Sequence, residues 1–297
     1  MTPVAVLITI ASYFLILFTI SYIAGRKADN EGFFVGNRKS AWYVVAFAMI
    51  GSSISGVTFV SVPGMVGISN FSYLQMVLGF VTGQIIIAFV LIPLFYRMNL
   101  VSIYEYLENR FGTSSYKTGA WFFFISKILG AAVRLYLVCL TLQLLVFEPF
   151  HMPFIMNVIL TVALVWLYTF RGGVKSLIWT DSLKTFCLIV SVVLCIYYIS
   201  TDLKLSFTEM FSTVSDSALS HMFFFDNVND KRYFFKQFLA GVFTMIAMTG
   251  LDQDMMQRNL SCKNFKDSQK NMITSGISQF FIILLFLMLG VLLYTFT

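Results

Sequence analysis

The strongest constraint on this chain is the length of its apolar runs. Eight largely apolar segments lie at 4–24, 41–62, 74–96, 118–147, 154–170, 183–200, 235–251 and 272–296. Each comes near the roughly 20 residues that a helix needs to cross a bilayer. Only 11% of the 297 residues are charged, against about 25% in a soluble domain. A soluble fold of this length would have too little polar side chain to cover its surface. The expected fold class is all-α, a polytopic transmembrane helical bundle with the lipid bilayer as its solvent. The first segment is too long, and too poorly followed by a cleavage site, for a signal peptide. Its flank Gly25-Arg26-Lys27 reads as a stop-transfer flank.

Eight spans place successive loops on alternate sides. One set of alternate loops holds fourteen Lys and Arg residues, from Arg26, Lys27, Arg38 and Lys39 through to Arg258, Lys263, Lys266 and Lys270. The other set holds four: Lys204, Lys231 and Arg232 in the loop 201–234, and Lys236 just beyond it. The basic loops are expected to be cytoplasmic and the N-terminus extracytoplasmic, in a cell membrane. The net charge of +6 forms no stripe, which argues against a nucleic-acid partner. Cys139, Cys187, Cys195 and Cys262 suit neither a zinc site nor a disulfide scaffold and read as small apolar residues. The loop 201–234 has room for a short helix and carries no evident chemistry.

Chemistry concentrates in the second span. It reads Gly51-Ser52-Ser53-Ile54-Ser55-Gly56-Val57-Thr58-Phe59, with Pro63-Gly64 following. Glycines and hydroxyls at that depth allow a helix to break, which exposes carbonyl oxygens suited to Na⁺ and a half-helix N-terminus suited to an anion. The same pattern also serves as a small-residue face for close helix packing, and the two readings weigh about evenly. In the fourth span Lys127 and Arg134, seven residues apart, share a face. Arg134 lies near mid-membrane, where a charge costs at least ~2.5–3.5 kcal/mol, so it calls for a cavity, a carboxylate or an anionic solute. Lys127 is close enough to the cytoplasmic end to snorkel.

Asp181 opens the sixth span after Trp179-Thr180, either as an interfacial helix cap or as a cation ligand reached from the cytoplasm. The seventh span ends in Asp252-Gln253-Asp254, either a charged cap or a cytoplasmic gate. No G-x-x-x-x-G-K-[ST] is present, which argues against ATP-driven pumping. The two histidines, His151 and His221, fall outside membrane depth and so cannot activate a serine in the second span. The chain is therefore not expected to be an enzyme.

Several motifs, in order, carry a resemblance. They are Glu31-Gly32-Phe33-Phe34-Val35-Gly36-Asn37-Arg38 with Trp42; Ser53-Ile54-Ser55-Gly56 with Pro63-Gly64; Tyr104-Glu105-Tyr106-Leu107-Glu108-Asn109-Arg110-Phe111; Gly172-Gly173-Val174-Lys175 with Trp179-Thr180-Asp181; and Gln257-Arg258 with Lys263. Together they resemble the sodium:solute symporter family over nearly the whole chain.

The resemblance implies a LeuT-like inverted-repeat fold. Residues 1–40 would be an extra helix and cytoplasmic loop, 41–200 the first five-helix repeat, 201–234 an extracytoplasmic loop, and 235–297 the start of an incomplete second repeat. It implies Na⁺ held by the carbonyls of Gly51 and Ile54, with Asp181 serving a further cation. Substrate contacts map to Ser53, Ser55, Thr58 and Gln75, with Arg134 facing the solute and Asp252 and Asp254 at the gate. The expected activity is Na⁺-coupled import of a small polar organic solute by alternating access. Ser53, Val57-Thr58 and Asp252-Gln253-Asp254 depart from sugar-carrying relatives. Arg134 stands about one turn from the arginine of sialic-acid relatives, which favours a carboxylate-bearing solute. The missing remainder of the second repeat leads us to expect a truncated chain. The alternative is a non-transporting membrane sensor on the same scaffold.

Overall fold

The computed structural model describes residues 3–25, 39–100, 102–169 and 173–296. The 31–38 motif and the Arg171-Gly172 turn lie outside them. Helix occupies the body of every apolar segment. In chain order the elements are α1 (Pro3–Gly25), α2 (Trp42–Ser53), α3 (Gly56–Ser69), α4 (Tyr73–Ile86) and α5 (Ile92–Arg97). Then come α6 (Ile103–Phe111), α7 (Thr113–Leu142), α8 (Phe154–Thr169), α9 (Gly173–Asp202) and α10 (Phe207–Asp216), followed by α11 (Phe234–Met245), α12 (Gln253–Leu260) and α13 (Phe265–Phe296). A π-helical stretch at Ile87–Leu91 joins α4 to α5, and others extend α7 and α11.

Among the described residues five helical stretches are long and apolar enough to cross a bilayer, and a sixth is if Phe234–Gly250 and Gln253–Leu260, bent by 69°, count as one. Trp42–Ser53 and Phe154–Leu167 are apolar but shorter. The first is short because its span breaks in the middle, and α3 carries the rest of the segment.

α13 is the centre of the bundle and packs on α2, α3, α4 and α9. Its apolar window is 61% buried, against 11% for α1 and 6% for α7. Phe286 of α13 is fully buried and meets Phe59 of α3 edge-on, 5.4 Å between centroids. Lipid supplies no hydrophobic drive between helices, so small residues mark their closest approaches. Gly79 on α4 faces Gly241 on α11, and Gly83, one turn further on, faces Val242 and Met245. A Cβ at Gly79 would collide with the Phe238 carbonyl, and one at Gly241 with the Met76 carbonyl.

The loop 201–234 does hold a helix, α10, opened by Ser206, whose N–H donates to Glu209 Oε2 at 2.7 Å. At the opposite end Ser40 N–H donates to Ser261 O at 3.1 Å, tying the start of α2 to the α12–α13 turn.

Candidate functional site

The second span is broken. α2 stops at Ser53, Ile54 and Ser55 are extended (φ −96°, ψ 123° and φ −111°, ψ 170°), and α3 restarts at Gly56. Glycine and serine make the break cheap: Gly56 has no neighbour within 4 Å of its Cβ position, and hydroxyls replace lost backbone partners. Ser55 N–H donates to Thr58 Oγ1 at 3.2 Å, and this pair caps α3. Ser53 Oγ turns back to Met49 O at 3.0 Å. With Ser55 N–H diverted to Thr58, the Gly51 carbonyl receives no hydrogen bond among the described residues, and neither does that of Ile54. Two hard oxygen donors are thus free at the negative end of α2.

The packing reading of the small residues also holds. A Cβ on Gly51 would overlap Thr185 Oγ1 on α9. Thr185 donates to Phe47 O at 2.8 Å, and Ser182 reaches Val44 O at 3.4 Å. α2 therefore lies flush against α9, and this contact brings Asp181 under the break.

Asp181 is 4% exposed and lies two turns inside α9, which starts at Gly173, so it does not cap that helix. Its Oδ2 pairs with Arg258 Nη1 of α12 and lies 3.1 Å from Ser52 Oγ. Ser52 also accepts from Arg258 Nη1 at 2.7 Å, and Lys184 Nζ takes Asp181 Oδ1 at 2.8 Å. Both carboxylate oxygens are therefore engaged by protein cations, and the candidate cation ligand is held in an ion pair in this conformation. Arg258 continues the chain to Asp254 Oδ1 at 3.1 Å.

Asp252 caps α12, its Oδ1 accepting from Met255 N–H at 3.1 Å. Its Oδ2 pairs with Lys127 Nζ of α7 at 2.7 Å, and Lys127 stands 3.9 Å from Asp254 Oδ2. Lys127 does not simply snorkel. Three acids and three bases thus alternate through α7, α12 and α9, so each buried charge has a counter-charge.

The sequence did not reveal that the seventh span is also broken. α11 ends in a π-helical stretch, Ile246–Gly250, and α12 leaves at 69°. The overlooked signal was Thr249-Gly250 ahead of a capping Asp252. Interrupted helices in corresponding positions of two halves point to the binding region of an inverted-repeat transporter.

The other candidates fall elsewhere. Arg134 is exposed on α7, and no acid among the described residues pairs with it. Gln75 is fully buried and serves the loop 201–234. Its Nε2 donates to Ser72 O (3.2 Å) and Arg232 O (2.8 Å), and its Oε1 accepts from Phe224 N–H (3.2 Å). Arg232 completes this latch, donating to Asp230 Oδ2 at 2.9 Å and Asn70 Oδ1 at 3.3 Å and lying 4.3 Å from the Phe224 ring centroid.

The profile of the Sodium:solute symporter family matches residues 33–297. Sodium-coupled monocarboxylate transporter 2 of Homo sapiens is 25% identical over 272 residues, covering 91% of this chain and 43% of that protein. The sodium/sialic acid symporter NanT of Aliivibrio fischeri is 26% identical over 269 residues, covering 86% and 50%. The chain thus spans about half the length of these relatives. A solved Na⁺-coupled sialic acid symporter in a substrate-bound outward-open state superposes with a TM-score of 0.83 at 21% identity, over 96% of this chain and 60% of that one. That match shows the LeuT-like fold expected from the motifs. With its several apolar helices, the chain is a multi-pass membrane protein and a member of the sodium:solute symporter family.

Proposed function

We propose that these residues form the first repeat, and the opening of the second, of a sodium-coupled secondary transporter that imports a small carboxylate-bearing solute. The observation that carries this reading is the break at Ile54-Ser55, which leaves the Gly51 and Ile54 carbonyls without hydrogen-bond partners among the described residues. Carbonyls freed at a broken membrane helix suit Na⁺, whose binding would couple the ion gradient to solute entry. Gly51 and Ile54 would supply these ligands, and Asp181 would serve a further cation once Arg258 and Lys184 withdraw. Arg134, a membrane cation with no acid opposite it among the described residues, would meet the solute carboxylate. Of the hydroxyls at the break, Ser53 is exposed and suits solute contact. Ser55 and Thr58 shape the site by capping α3. The latch around Gln75 makes it a loop anchor here rather than a solute ligand.

Asp252 and Asp254, with Arg258 and Asp181, would close the cytoplasmic side while the chain faces outward. The N-terminus would lie outside the cell, as the basic loops imply. The test is uptake of labelled sialic acid, monocarboxylates, sugars and amino acids into vesicles, with and without an inward Na⁺ gradient. This chain would be assayed beside the longest native reading frame that contains it. Na⁺-driven uptake of an acid by either form supports the reading. Uptake of neutral solutes alone overturns the carboxylate assignment, and no Na⁺ dependence in either form overturns the transporter.

A further inference from the structure

α7 packs on α6 and α8 and makes no extensive contact with α12. A single side chain crosses the gap as an ion pair. Of the three charged residues on α7 (Lys117, Lys127 and Arg134), Lys127 alone has an ion-pair partner among the described residues. It sits about 21 Å along the helix from Thr113, at 1.5 Å per residue. Its ammonium lies 2.7 Å from Asp252 Oδ2 and 3.9 Å from Asp254 Oδ2, with the Phe123 ring centroid at 5.5 Å.

Asp252 is the hinge residue of the second broken helix. Leu251 (φ −101°, ψ 0°) and Asp252 (φ −86°, ψ 121°) turn the chain between the π-helical stretch and α12. One oxygen of this carboxylate caps the first turn of α12 at Met255 N–H, and the other takes Lys127. Whatever fixes Asp252 therefore fixes the direction in which α12 leaves the bend. Arg258 is four residues from Asp254 on α12 and carries the link to Asp181.

We propose that Lys127 is a positioning residue for the cytoplasmic gate. Its ammonium pins α12 to α7 through Asp252 and Asp254, and when it lets go α12 swings about Leu251-Asp252, drawing Arg258 away from Asp181. This rests on the reading of Asp252 and Asp254 as the gate, but its test needs neither solute nor Na⁺. Thr249, 3% exposed and just before the hinge, is the reporter position.

A Thr249→Cys chain in vesicles with the cytoplasmic face outward is labelled with a membrane-impermeant maleimide, and modification is read at residue 249 by peptide mass spectrometry. Labelling is slow in the parent and about tenfold faster with Lys127→Met, as expected when a local opening loses a restraint. Lys127→Arg keeps it slow. Asp252→Asn retains a capping side chain but loses the charge, so it accelerates labelling as Lys127→Met does. Combining the two gives no further increase. An unchanged rate in Lys127→Met, or rates that multiply in the double variant, overturns the proposal. If Lys127→Met does not yield monodisperse protein, Asp252→Asn breaks the same contact from the other side, and an unchanged rate there overturns it equally. Na⁺-driven uptake with unaltered labelling removes the clamp and leaves the transporter. Altered labelling without uptake does the reverse.

Discussion

Arg258 on α12 and Asp181 on α9, 77 positions apart in sequence, form a buried ion pair with side chains 7% and 5% exposed. Ser52 of α2 bonds both partners. Removing Arg258 leaves Asp181 with Lys184 as its counter-charge, and removing Asp181 leaves Arg258 with Asp254. Arg258→Met is expected to cost about 3 kcal/mol, the low end for a broken buried pair because Lys184 remains, while Arg258→Met with Asp181→Leu costs less than the sum of the two single changes. Thermal unfolding in detergent measures this cycle, and additive losses would contradict the pairing.

Arg134 has no acidic partner among the described residues, so the proposed solute carboxylate supplies its counter-charge. A hydrogen bond to a charged group is worth about 1.5–3 kcal/mol. Arg134→Gln should therefore raise the apparent KM for an anionic solute by at least about tenfold, with Arg134→Lys in between. Initial-rate uptake at several solute concentrations reads this. An Arg134→Gln protein with the parent KM would remove Arg134 from the site.

The α4–α11 contact has no room for a methyl group, because the atoms opposing Gly79 and Gly241 are backbone carbonyls. Gly241→Val should destabilise the protein by about 3 kcal/mol or more, at the upper end of overpacking costs. At Gly67 the obstructing atoms belong to the Tyr294 ring, which is 46% exposed and held by a hydrogen bond from its hydroxyl to Gly64 O at 3.0 Å, so it can turn aside for the loss of that one exposed bond. Gly67→Ala should cost less than about 1 kcal/mol. Melting temperatures of the two variants in the same detergent decide between these outcomes.

Hydrogen bonds from Arg232 hold the Asp230 carboxyl below the ordinary carboxylate range. For an acid whose folded-state pKa is lowered, the stabilisation is complete above its unfolded pKa of about 4 and disappears as pH falls through the folded-state value. The latch around Gln75 and Arg232 should therefore be unaffected between pH 8 and about pH 5 and loosen only in stronger acid. Asp230→Asn should show the loosened state at neutral pH. Hydrogen exchange at Arg232, whose N–H donates to Asp230 Oδ1 at 2.8 Å, follows it, and protection lost already near pH 6 would contradict the assignment.

Burial pushes the Cys262 thiol, in the α12–α13 turn, up to about 12. The thiolate is the reactive form, so the folded protein should resist maleimide at Cys262 at pH 8. The same residue should react at least about tenfold faster after unfolding in detergent. Equal rates would mean that the α12–α13 turn is open.

Membrane residence and the helical class were legible because burial in lipid demands long apolar runs, and these stand in the sequence without reference to any contact. The break at Ile54-Ser55 was legible as one of two readings, and both proved right: the same glycines and serines break α2 and let it lie flush on α9. The roles of Asp181, Lys127 and Gln75 were not legible. Asp181 read as a surface cap or a cation ligand because Arg258, its counter-charge, lies far along the chain. Lys127 read as a snorkelling side chain because Asp252 and Asp254 lie far along the chain. Gln75 read as a solute contact, while its partners sit in a loop some 150 positions away.

The sequence by itself determined which segments leave water, where the second span gives way and which family the motifs resemble, since those depend on local composition and order. Tertiary structure alone decided which charges meet and the 69° at which α12 leaves the seventh span. An ion pair or a hinge is fixed by helices packed side by side, and no spacing along one helix encodes its neighbour.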